Sequence, residues 1–167
     1  INFILRQYFI EEYLFALYYS GYVEIQNKNV TNAEPKLKEF ISLAENKNLQ
    51  TWPEYAQAKA QLIQMAEAKG NTAEALSLVQ QGDATEDQKA RQYLKAAIEN
   101  ESTQPAEADR YFKMAEESLV KGGMISNTGF SIAQNYARFL FTNRQIAESQ
   151  SKLVQAKQIA RKLFAPT

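Results

Sequence analysis

The chain has 167 residues, with 19 basic residues against 19 acidic ones, no Cys and no His. That length holds one domain with a real core, and the balanced charge leaves no electrostatic footprint for nucleic acid or for an anionic membrane surface. Disulfides, thiolate metal sites and cysteine nucleophiles are excluded, and the commonest general base and metal ligand is missing.

Helix formers dominate, Gly and Pro are few, and no sustained period-two run of β-branched residues occurs. A first helix is predicted over Phe3 to Gln26. Its most apolar stretch, Tyr13 to Val23, is about half the roughly 20 residues that span a bilayer. Glu11, Glu12 and Glu24 flank it, so it reads as a buried helix without direct membrane insertion. "NKNVTNAEP" breaks it, and Pro35 fits the first turn of a second helix carrying Leu37, Phe40, Ile41 and Ala44. A third helix starts at "TWPEYAQ", with Thr51 as N-cap and Pro53 in the first turn, and runs to Lys69. Gly70 suits the position after it because glycine accepts positive φ. A short fourth helix, Thr72 to Gln81, ends at Gly82-Asp83. Thr85 caps a fifth, to Asn100, with acidic residues in its first turn. Pro105 starts the sixth, Ala106 to Lys121, and "KGGMISNTG" is the loosest connection. The last two helices are predicted over Phe130 to Phe141 and Gln145 to Phe164, with Pro166 closing the chain's helical part.

The second helices of the four pairs share a small–bulky–small seam. It reads Leu37, Ile41, Ala44 in its loosest form, then Ala75, Val79, Gly82, then Ala108, Phe112, Ala115, then Ser149, Leu153, Ala156. Small residues admit a close helix approach and the bulky one fills the groove. Successive units lie 38, 33 and 41 residues apart, a spacing typical of helical solenoids.

The stretches "LIQMAEAKGNTAEAL" (62–76) and "NYARFLFTNRQIAES" (135–149), with "PAEADRYFKMA", resemble the tetratricopeptide repeat, or TPR. The first pair matches poorly, with Gly21 at the small position followed by an insertion, and the family's Trp, Tyr and closing Pro are mostly missing. The resemblance implies a single all-α domain over 1–167, a right-handed α-solenoid of about four antiparallel pairs at 3–47, 51–81, 85–121 and 130–164. It also implies a concave face lined by the first helix of each pair. That face takes Tyr18 and Tyr22, then Gln57, Gln64 and Glu67, then Arg91 or Lys95, then Gln134, Arg138 and Phe141. Gln and Arg can serve peptide backbone and carboxylates. The Lys, Asn and Arg set with which some TPR domains clamp acidic chaperone tails is absent as a whole, so that ligand is not expected.

No catalytic constellation emerges. Glu11-Glu12 and Glu116-Glu117 are adjacent, so on a helix they point about 100° apart. Gly122-Gly123 lacks the spacing of a phosphate loop. The expectation is therefore a non-enzymatic interaction scaffold, without metal or cofactor, binding a protein or peptide and not nucleic acid. The alternatives are a sensory or regulatory segment of a larger bacterial regulator, or the soluble domain of a membrane protein such as a glycan polymerase or secretion component. The start at Ile1 suggests a fragment, with no signal peptide in view. A cytoplasmic location is expected, with a periplasmic or extramembrane domain as the alternative. The C-terminal helix reads as polar enough to cap the array, and a monomer is expected, with a dimer through the aromatic first helix as the alternative.

Overall fold

In the computed structural model residues 2–81, 84–123 and 125–164 are described, with side chains from residue 9 onward. Among them are eight helices and no strand, so the fold is all-α: α1 (Asn2–Gln26), α2 (Val30–Asn46), α3 (Pro53–Ala68), α4 (Thr72–Gln80), α5 (Glu86–Asn100), α6 (Pro105–Gly122), α7 (Asn127–Thr142) and α8 (Ile146–Leu163). The expected stops at Gly82-Asp83 and Pro166, and Met124 in the loosest connection, lie outside the described residues. The chain divides into two compact units, Ile1–Ala84 and Thr85–Thr167, each holding two helix pairs.

One local device closes three of the four pairs. After α1, Lys28 N–H donates to the Ile25 carbonyl (2.9 Å) and Asn29 N–H to that of Glu24 (2.8 Å). After α3, Gly70 and Asn71 make the same two bonds to Glu67 and Ala66, and after α7, Arg144 and Gln145 make them to Phe141 and Leu140. This is the Schellman arrangement, in which a left-handed residue reverses the chain and satisfies the last helical carbonyls. The left-handed residues are Lys28 (φ 60°), Gly70 (φ 69°) and Arg144 (φ 63°), and Asn48 (φ 57°) repeats the device between α2 and α3. Only Gly70 takes this conformation without the Cβ penalty.

Three helix starts differ from expectation. Pro35 is not in the first turn: α2 begins at Val30, and Pro35 sits inside it. Thr31 and Pro35 both face outward, so the carbonyl that loses its helical donor lies on the solvent side. Thr51 does not cap α3. Pro53 occupies the first helical position and holds the preceding Trp52 extended (ψ 137°), which makes Trp52 the cap residue, without a side-chain bond. α7 starts at Asn127 because Ser126 Oγ accepts from Gly129 N–H at 3.0 Å. Thr85 does cap α5, and a reciprocal bond from Thr85 N–H to Gln88 completes a capping box.

The core of the first unit joins Leu14 and Tyr18 of α1, Leu37 and Phe40 of α2, and Tyr55 and Leu62 of α3. A Cβ on Gly21 would lie 2.9 Å from Leu37 Cδ2, so its lack of a side chain is what lets α2 come in. The second unit's core joins Ala97, Ala108, Phe112, Tyr136, Phe139 and Leu140. Of the seam residues, Ala75, Val79, Ala108, Phe112 and Ala115 are buried as expected. Leu153 is not: it is 53% exposed, and Val154, Ile146 and Phe164 are exposed near it. Ser149, Ala156 and Ile159 carry the contact of α8 instead, so its exposed side is not the polar cap the Lys and Gln alternation suggests.

Candidate functional site

In both units the first helix of the second pair meets both helices of the pair before it. In the first unit α3 packs on α2 and reaches α1, where Tyr18 O–H donates to Gln57 Oε1 (2.5 Å) and Trp52 stacks on Phe15 at 4.9 Å. In the second unit α7 packs on both α5 and α6.

The candidate groove residues divide accordingly. Tyr18 is not on an open face. It shares a helical stripe with Leu14 and Gly21 toward α2, is 4% exposed, and packs its ring on Phe40 at 5.5 Å. Burial raises its hydroxyl pKa above the ordinary value of 10.0. Tyr22 stays open at 41% exposed, its ring 6.5 Å from that of Tyr18. Gln57 and Gln64 are exposed on one stripe of α3, with Glu67 half-buried beyond them. In the second unit Arg91 and Lys95 are exposed one turn apart on α5, and Arg91 Nε lies 3.3 Å from Asp87. Gln134, Arg138 and Phe141 follow at helical spacing on α7, all exposed, Phe141 at 65%. Arg138 Nη2 donates to Glu101 (2.9 Å), in the turn after α5, and to Asn135 Oδ1 (3.3 Å), which holds the guanidinium in place.

Within the first unit α3 presents the amides of Gln57 and Gln64, Gln57 already accepting from Tyr18; within the second, Arg91, Lys95, Gln134 and Arg138 are exposed together with the ring of Phe141. Amides match the alternating donors and acceptors of an extended backbone, and a fixed guanidinium matches a carboxylate or carbonyl. Glu116 and Glu117 diverge, Glu116 turning to Lys152 (2.6 Å) and Glu117 to solvent. A shallow cavity of about 270 Å³ between Asp87, Leu119, Gly123, Ile125 and Ser126 has no converging polar groups: Asp87 pairs with Arg91, and Ser126 is occupied as a cap. Among the described residues no group of three acidic side chains is placed to hold a metal ion, and no helix is long and apolar enough to cross a membrane.

Two polar clusters had no sequence signal, because their members are far apart in the chain. Glu34 accepts from Lys38 and Lys69, and Lys38 also reaches Glu74 (2.7 Å), tying α2 to α4 and to the turn before it. These lysines, Lys38 first, hold the Glu34 carboxyl below its ordinary pKa of 4.5. In the second unit Tyr136 donates to Asp109 (2.7 Å) under the ammonium of Lys152, 5.1 Å from the ring centroid. Burial first, and Asp109 second, pushes the Tyr136 hydroxyl well above its ordinary range.

Comparison with family models, with curated protein sequences and with solved structures finds no match to this chain.

Proposed function

We propose that this chain is a non-catalytic interaction scaffold, a right-handed α-solenoid of TPR-like pairs whose first helices bind an extended peptide or a partner helix. The observation that carries the reading is a three-helix arrangement in each unit: α7 packs against both α5 and α6, and α3 packs against α2 and reaches α1 through the Tyr18–Gln57 bond. In a helical solenoid such a contact sets first helices side by side with one stripe of each outward. Gln57 and Gln64 occupy that stripe in the first unit, and Gln134, Arg138 and Phe141 in the second. Selecting peptides from a random display library on the 167-residue chain tests it. The double variant Gln134→Ala, Arg138→Ala should weaken the selected peptides about tenfold or more. A library without binders, or binders indifferent to both the double variant and Gln57→Ala plus Gln64→Ala, overturns the reading.

A further inference from the structure

The outer face of α1 departs from an ordinary solvated helix surface. At 100° per residue, Phe9, Glu12, Tyr13, Ala16, Tyr19, Ser20 and Val23 fall within about 60° either side of Ala16. All are exposed; Phe9 is 68% exposed, and Tyr13, Tyr19 and Val23 are each 50% or more. Large contiguous apolar surface of this kind marks a contact with another macromolecule.

The arrangement of polar groups along this face selects the occupant. On the flank beside α2, Tyr13 O–H donates to Glu39 (2.8 Å), and one α1 stretch further on Lys36 Nζ donates to Ser20 Oγ (2.8 Å) and to Glu24 (3.0 Å). The Glu39 carboxylate and the Lys36–Glu24 ion pair therefore sit on the same flank, on opposite sides of the small residue Ala16 along the helix axis. We propose that a second copy of this chain covers the face, with the two α1 helices antiparallel and crossing at Ala16. A two-fold axis there keeps each flank on its own side and reverses its direction. Glu39 of one copy then meets Lys36 of the other, twice over. On the opposite flank Glu12 meets the hydroxyl of Tyr19, and Phe9 lies over Val23 toward each end of the contact, about 10 Å along the helix from Ala16. Ala16 opposes itself and lets the backbones approach. The contact is isologous and closes at two copies. A parallel pairing would oppose like charges, which is unfavourable.

The inference is independent of the groove reading, since Gln134 and Arg138 take no part. Its test is the mass of the 167-residue chain by sedimentation or light scattering across a dilution series. The expected species has twice the mass of the 19.0 kDa chain. Ala16→Arg, at an exposed position, should leave a monomer with an unchanged helical spectrum. Glu39→Lys and Lys36→Glu should each weaken the dimer about tenfold, and the double variant should regain most of that loss. A monomer at every concentration overturns the proposal and leaves the face to another occupant. A dimer that Ala16→Arg does not dissociate also overturns it, as does a double charge reversal no tighter than either single one.

Discussion

Each unit seats a tyrosine of its second pair in the same chemical setting, yet the two settings are built differently. In the first, Tyr55 on α3 donates to Glu45 of α2 (2.6 Å), and Lys59 lies over its ring, 4.7 Å from the centroid. In the second, Tyr136 on α7 donates to Asp109 of α6, and Lys152 lies over its ring. Lys59 comes from the same helix, is 2% exposed, and among the described residues has the Gln81 carbonyl at 3.3 Å and Glu45 at 3.9 Å for polar company. Lys152 comes from α8 and grips both oxygens of Glu116. The lesson is that a tyrosine–carboxylate link between neighbouring pairs is the common element. The cation is interchangeable in origin: in one unit it comes from the tyrosine's own helix, in the other from α8, which it ties to α6.

Four measurements break or sharpen this comparison. The largest effect is expected from Phe112→Ala. Phe112 is fully buried and stacks on Tyr136 at 4.8 Å, so its loss should cost about 3–5 kcal/mol by chemical denaturation. The second unit should then unfold first, separating two transitions in a calorimetric scan; one unshifted transition would show that Phe112 does not anchor that unit. Next is Tyr136→Phe, which removes a hydrogen bond to the Asp109 carboxylate, leaving it that of Lys113, and should cost about 1.5–3 kcal/mol. Tyr55→Phe should match it within about 1 kcal/mol if the two links are equivalent.

Alkaline pH probes the same group. The folded pKa of Tyr136 is raised above its ordinary value of 10.0, so its contribution is complete below pH 10 and declines as the pH rises toward the folded value. The parent's melting temperature should therefore fall more steeply above pH 10 than that of Tyr136→Phe, and parallel curves would remove the tyrosine from the account. The smallest effect is expected from Lys59→Met. Replacing a buried, weakly paired charge by an apolar chain of similar volume should change stability by no more than about 1 kcal/mol, whereas Glu116→Ala detaches Lys152 and should loosen α8 against proteolysis.

Helix identity and order were legible in the sequence because they rest on local signals: Gly70, Thr85, Pro105 and the small seam residues each act within a few positions of themselves. The starts of α2 and α3 were less so, because Pro35 and Trp52 act through backbone geometry that composition does not announce, and α7 starts earlier than expected on the side-chain cap of Ser126, a residue that reads as part of the loop. The repeated turn was visible only at Gly70, since a lysine or an arginine in the left-handed region carries no compositional mark. Of the candidate groove, the stripe on α7 could be read from spacing, but the Glu101 partner of Arg138 lies 37 positions away and belongs to the packed chain. Tyr18 was misplaced because an aromatic-rich helix offers several apolar stripes, and only the neighbour at Leu37 and Phe40 decides which one is inward.

The Schellman turn has a consequence for how the molecule is made. Every bond in it joins residues no more than five apart, so the turn needs nothing from the pair that follows it. Such low contact order favours fast folding, and a vectorially emerging chain can fix each reversal while the following helix is still inside the ribosome. Lys28 and Arg144 then act as markers of the order of assembly: glycine at either site should speed hairpin closure in its own pair and leave the others untouched.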